Sequence, residues 1–272
     1  MPELPEVETT RRGIAPSVVG RRVTEVVVRN PSLRWPVPAS LASELVGQAL
    51  ADIKRRGKYL LLRFDTGTLI LHLGMSGHLR LLTVPQPADK HDHFDIVFDG
   101  DFRLRLHDPR RFGSVSWTVE DPLAHPLLAH LGVEPLEAGL SGAYLYQVSR
   151  GRTASVKSIL MDSRIVVGIG NIYANEALFL AGISPTRAAG RISLDRYGGL
   201  AAAVKEVLQQ AIAQGGTTLR DFFDSDGRPG YFDQSLKVYG REQLPCRRCG
   251  DTIRKIRQGS RSSYYCPSCQ HA

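Results

Sequence analysis

The chain has 272 residues, 42% of them hydrophobic, which is enough apolar material for one large core or two ordinary ones and excludes a disordered chain. Lys and Arg outnumber Asp and Glu by 35 to 27, and the formal charge of +8 suits a polyanionic partner without naming one. No apolar run reaches the length of a membrane span, and the acidic start MPELPEVE is the wrong chemistry for a secretory signal, so a cytoplasmic protein is expected.

Residues 2–14 predict a helix. Glu3, Glu6 and Glu8 stand near its start and Arg11 and Arg12 near its end, the order the helix dipole favours, and Pro16 and Gly20 close it. Strand signals follow over 23–28, 53–64, 69–73, 94–98, 102–106 and 114–119, with Gly-containing turns at 65–68 and 99–101 that predict antiparallel hairpins. In Phe102-Arg103-Leu104-Arg105-Leu106 the alternation puts apolar residues on one face and arginines on the other. This half of the chain reads as a sandwich-like β domain. Pro122, Pro126 and Pro135 then mark 120–150 as a connector. Beyond it the pattern is helical: a short helix over 171–181 stopped by Gly182 and Pro185, then a stripe of Leu200, Val204, Leu208 and Ala211 ended by Gly215-Gly216.

The clearest chemical signal is Cys246-x2-Cys249-x16-Cys266-x2-Cys269, two CxxC knuckles that supply four thiolates for one tetrahedral Zn2+. Such a closed site has no open coordination position, so the zinc is structural. Around it Arg247, Arg248, Arg254, Lys255, Arg257 and Arg261 face a single acid, Asp251, and a basic hairpin of this kind suits a nucleic-acid backbone. A second signal is Gly168-Ile169-Gly170-Asn171, a helix start whose free amides suit phosphate. A third is Pro2. Removal of the initiator Met exposes a secondary amine, and an α-amino group with a reference pKa near 8 is partly unprotonated at neutral pH. Such an amine attacks an electrophilic sugar carbon to form an iminium, with the adjacent Glu3 placed to act as the acid that opens the ring.

MPELPEVETTRRGI at the chain start resembles the start of formamidopyrimidine-DNA glycosylases, the oxidised-purine repair enzymes. The resemblance continues in order through RRGKYLL, LHLGMSGHLR, HDHFDIVF, DPRRFG, GIGNIYANEAL, GGTTLRDF and the cysteine knuckles. It implies an α+β fold: an N-terminal antiparallel β-sandwich with a leading helix over 1–130, a helical domain with a helix–two-turn–helix over 131–240, and a zinc-finger β-hairpin over 241–272. It also implies a monomer acting on damaged double-stranded DNA, as a glycosylase and AP lyase that works through β,δ-elimination. Carried over residue by residue, Pro2 resembles the nucleophile and Glu3 the catalytic acid, with Glu6 a buried helper at the helix start. Lys58 resembles the lysine that contacts backbone beside the lesion. His91, Asn171 and Arg261 resemble phosphate contacts. Met75, Arg110 and Phe112 resemble the residues that fill the gap left by a flipped base, and Arg220 a support of the loop over 217–226. Two departures stand out: Leu160-Met161-Asp162-Ser163 before the helix turn, and His78 where a small polar residue is common.

Two alternatives stand beside this reading. An oxidised-pyrimidine glycosylase of the same superfamily generally begins Pro-Glu-Gly-Pro-Glu, whereas this chain has Pro2-Glu3-Leu4-Pro5-Glu6. A non-catalytic zinc DNA-binding protein has no need of Pro2, Glu3 and Lys58 together.

Overall fold

A computed structural model describes residues 1–217 and 235–271. Arg220 and the rest of its loop past Thr217 lie outside them. The described residues form two compact units, one of 1–130 with 214–217, the other of 131–213 with 235–271.

The first unit opens with α1 (Leu4–Val18). Its start follows from the carboxylate at the third helical position: Glu6 Oε2 accepts from the backbone N–H of Glu3 at 2.8 Å. The helix runs four residues past the expected end, with Pro16 inside its last turn. There the missing proline N–H costs one backbone bond and does not break the coil. Arg11 and Arg12 therefore lie mid-helix, away from the C-terminal end of the dipole. They bind Glu8 instead, each with a nitrogen 2.8 Å from Oε1.

Two four-stranded antiparallel sheets follow. One has β1 (Val23–Val28), β6 (Asp92–Phe98), β7 (Arg103–His107) and β5 (His78–Leu82) in that order, and the other β2 (Asp52–Arg56), β3 (Tyr59–Arg63), β4 (Thr68–His72) and β8 (Ser114–Thr118). Between β1 and β2 lies a five-residue helix, α2 (Leu41–Leu45). One core joins the sheets and α1, including Ile14, Val18, Leu60, Leu71, Phe94, Ile96, Leu104 and Val115. The expected single run over 53–64 is two strands, because Gly57-Lys58 makes a turn between them. β5 escaped the sequence reading because His78 and Arg80 break its apolar signal. The alternation over 102–106 holds, but the arginine face is not solvated: Arg105 is only 1% exposed and its guanidinium binds Asp95 (3.0 Å) and Asp92 (3.4 Å).

The second unit is helical. The expected connector holds a helix, α3 (Gly142–Ser149), capped by the Ser141 hydroxyl accepting from the Tyr144 N–H at 3.1 Å. α4 (Val156–Met161) and α5 (Asn171–Leu180) are separated by turns in which Asp162 Oδ1 accepts from the Arg164 N–H at 3.0 Å. α6 (Leu194–Ala213) buries the expected stripe, Leu200, Val204, Leu208 and Ala211, against α3 and α5. The chain ends in a two-stranded hairpin, β9 (Arg254–Gln258) and β10 (Arg261–Tyr265). Among the described residues no helix is long and apolar enough to cross a membrane.

Candidate functional site

In the first unit a cavity of about 760 Å³ is lined by Met1, Ser32, Leu33, Arg34, His72, Gly74, Met75, Arg110, Arg111 and Phe112. Pro2 and Glu3 are buried behind Met1 at the start of α1. Glu6 stiffens this start from both sides, since its other oxygen accepts from the Thr217 N–H at 2.8 Å. Gly216 makes that approach possible. Its φ is +82°, and a Cβ there would stand 3.1 Å from the same carboxylate.

The loop after β4 presents Met75 and the loop after β7 presents Arg110 and Phe112. Met75 and Phe112 are 40% and 41% exposed, which is costly for large apolar groups unless a partner covers them. Arg110 lies 5.0 Å from the centre of the Phe112 ring. Backbone contact locks the two loops together: a Cβ on Gly74 would fall 2.4 Å from the Gly113 nitrogen. Asp108, fully buried, accepts from the Gly113 N–H at 2.6 Å and so closes the second loop.

His72 is a member of this site that the sequence reading passed over. Its Nδ1 accepts from the Gly74 N–H at 2.9 Å and its ring packs on Tyr59 at 4.7 Å. Burial, joined by the charges of Lys58 and Arg34, pushes its pKa from 6.5 down to about 4. His72 is thus neutral at working pH. The same interaction puts Lys58, half-buried in the turn after β2, in electrostatic reach of the cavity wall. The histidine inside LHLGM was the available signal. His91 lies just before β6, its ring edge-on to His107 at 5.8 Å and to His93 at 6.3 Å. Asp89, Asp92 and His107 are close enough to share a cation, but Arg80 and Arg105 already supply positive charge to Asp92.

In the second unit the hairpin tip carries Arg261, which with Lys157, Ser158, Met161 and residues 258–260 lines a recess of about 230 Å³. Asn171, the first residue of α5, donates from Nδ2 to the Ser262 carbonyl at 3.0 Å. The buried Lys157 ammonium donates to that carbonyl at 2.9 Å and to Ser263 Oγ at 2.6 Å. Asn175 Oδ1 accepts from the Tyr264 N–H at 2.8 Å. Glu176, also buried, accepts from the backbone N–H groups of Lys237, Val238 and Tyr239 at 2.8–3.0 Å. Reading the sequence missed Lys157, Asn175 and Glu176, although a glutamate inside NIYANEALFL was a visible anomaly. All three hold the hairpin and the segment leading to it against the helices.

Sulfurs of Cys246 and Cys269 are 3.9 Å apart, and those of Cys249 and Cys266 3.4 Å. Four thiolates about 2.3 Å from a central ion at tetrahedral angles stand about 3.8 Å apart, so the donor set fits one structural Zn2+. The separations are far beyond a disulfide bond.

A β-sandwich led by a buried N-terminal helix, a helical unit with paired short helices and a basic four-thiolate zinc hairpin define a class of DNA-processing proteins. Comparison with known proteins narrows it. Residues 1–115 match the formamidopyrimidine-DNA glycosylase N-terminal domain, 131–223 the formamidopyrimidine-DNA glycosylase H2TH domain and 243–272 a zinc finger found in FPG and IleRS. The formamidopyrimidine-DNA glycosylase of Methylococcus capsulatus is 61% identical over 270 residues, covering 99% of this chain and 100% of the relative. That of Magnetococcus marinus is 60% identical over 275 residues, covering 100% of both. Among solved structures, a Lactococcus lactis FPG mutant in complex with Fapy-dG-containing DNA superposes with a TM-score of 0.92 at 34% identity, covering 100% of both chains. The chain belongs to the formamidopyrimidine-DNA glycosylase family.

Proposed function

We propose that this DNA glycosylase of base excision repair excises oxidised purines, 8-oxoguanine and formamidopyrimidines, and then cleaves the abasic strand as an AP lyase. Its substrate is damaged duplex DNA, it acts as a monomer, and its compartment is the cytoplasm. The observation that carries the reading is the one cavity wall shared by Met1, Met75, Arg110 and Phe112, at the start of a helix whose first turn buries Pro2 and Glu3.

With Met1 removed, the Pro2 nitrogen bonds to the sugar C1′ while the bond from C1′ to the base breaks, and the base leaves with its electron pair and takes up the proton that the Pro2 nitrogen gives up. Glu3 gives its proton to the ring oxygen, the sugar opens and an iminium forms between C1′ and Pro2. Loss of a C2′ proton expels the 3′ phosphate, and loss of a C4′ proton then expels the 5′ phosphate. Lys58, His91, Asn171 and Arg261 hold backbone phosphates. Met75, Arg110 and Phe112 occupy the gap in the stack, which offsets the cost of unstacking the lesion. Arg220, outside the described residues, is assigned to the loop over the extruded base.

Borohydride reduction during turnover on an 8-oxoguanine duplex tests the mechanism. The expected product is a covalent adduct that mass spectrometry places on residue 2. An adduct on Lys58 or another lysine, or none, overturns it. The same trap on an oxidised-pyrimidine duplex should form more slowly.

A further inference from the structure

His107 occupies a junction that the proposed function leaves unused. It ends β7 directly opposite His78, the first residue of β5, so the two histidines form one cross-strand pair. Their rings pack with centres 4.8 Å apart and planes inclined by 33°. Met75 is three residues before His78 and Arg110 three after His107, so this pair is the common root of both exposed loops. On its other side the His107 ring meets His91 edge-on at 5.8 Å. The backbone joins them as well, because the Asp108 N–H donates to the His91 carbonyl at 2.9 Å.

The ring of His107 is itself fixed. Its Nδ1 stands 2.8 Å from Asp92 Oδ1. Asp92 is fully buried as a side chain and is held in turn by Arg80 at 2.7 Å and by Arg105 at 3.4 Å. Burial, helped by His107 and Arg80, takes His78 down to about 4, so His78 packs on His107 as a neutral ring. A buried carboxylate thus orients one imidazole, and that imidazole presents a wall to a second, His91.

We propose that His107 is a positioning residue that holds His91 in its phosphate-binding orientation, with Asp92 fixing the His107 ring from below and His78 backing it. The proposal rests on the reading of His91 as a phosphate contact. An orienting partner one step removed acts in the same way on the histidine ligands of metals and on catalytic histidines.

The test is a double-mutant cycle, with affinity measured on a duplex carrying a stable tetrahydrofuran abasic analogue. His107→Asn keeps an N–H for Asp92, and with it the sheet, but removes the wall. His78→Ser removes the backing ring, with its hydrogen bond to the Ser76 backbone, and guards against a folding failure at position 107. His91→Ala and His107→Asn should each weaken binding about tenfold, the worth of one hydrogen bond to a charged group. The double variant should bind within about twofold of His91→Ala, since a wall is useless without the ring it orients. His78→Ser should lose less than His107→Asn, and only while His91 is present. Additive losses, or wild-type binding by His107→Asn, overturn the positioning role alone. Wild-type binding by His91→Ala overturns the phosphate reading and the proposal with it.

Discussion

On the proposed function, Arg110 faces the base left opposite the lesion and reads it, and there chemistry and biological outcome meet. Excising 8-oxoguanine opposite cytosine is safe, whereas excising it opposite a misinserted adenine makes a mutation permanent. A guanidinium is donor-only. The pairing edge of cytosine offers O2 and N3 as neighbouring acceptors, while adenine offers N1 beside an amino donor. One bidentate contact discriminates by about 1–3 kcal/mol, about ten- to a hundredfold. Single-turnover excision should therefore favour the cytosine duplex, and Arg110→Ala should remove much of that preference while Arg111→Ala retains it. Unchanged selectivity in Arg110→Ala would place the reader elsewhere. His72 makes a prediction about pH. The folded chain protonates it only near pH 4, the unfolded chain near 6.5, so between these values the unfolded state binds more protons. Its contribution is complete above about 6.5 and is lost as pH falls toward 4, with His78 acting in the same direction. Urea midpoints should fall between about pH 7 and about pH 5, and the fall should be smaller in His72→Asn. An identical fall in the variant would mean that the ring titrates freely in the fold.

At the scale of elements, the hairpin of β9 and β10 depends on two supports of different kinds. The four thiolates shape its base, where Cys246 and Cys266 share a small core with Phe179, Val238 and Ile253. Lys157, Asn171 and Asn175 grip its second strand by hydrogen bonds to residues 262–264. A hairpin of two five-residue strands with so little apolar area does not hold its shape without the metal. Zinc chelation or Cys249→Ser should then abolish DNA binding, by releasing Arg261 from its fixed place. The β-sandwich has its own core and should keep its unfolding transition by circular dichroism. Normal affinity after chelation would show that the module does not present Arg261 to DNA.

At the scale of the whole molecule, the charge of +8 is spread unevenly, and the basic zinc module holds more than half of it. Binding that neutralises phosphates weakens with salt, with a slope of about −0.9 for each phosphate contacted on a log–log plot. Arg261→Ala should lower the magnitude of that slope by about one, for specific and undamaged duplexes alike. A slope equal to that of the wild type would remove Arg261 from the set of phosphate contacts. Lys157→Met tests its support: the ammonium is buried and bonded to the hairpin, so the variant should weaken binding without losing a charge that faces solvent.

What the sequence by itself determined is what short-range chemistry encodes. The cysteine spacing specifies a four-thiolate site, Gly and Asp at 65–68 and 99–101 turn the hairpins, and the stripe from Leu200 to Ala211 buries one helix face, because each signal and its consequence lie within a few residues. The start of α1 was legible for the same reason, and its family motif brought Pro2 and Glu3 into view. Only the tertiary structure decided which charges go inside. Arg105 reads as a solvated strand residue until Asp92 and Asp95 are found beside it. Lys157 reads as an ordinary helix lysine until the carbonyl of Ser262, 105 residues away, accepts a hydrogen bond from its ammonium. His107 carries no local mark of its role, since Asp92, His78 and His91 come from other parts of the chain. A buried polar group is stable only when its hydrogen bonds are made, and those partners are chosen by the fold.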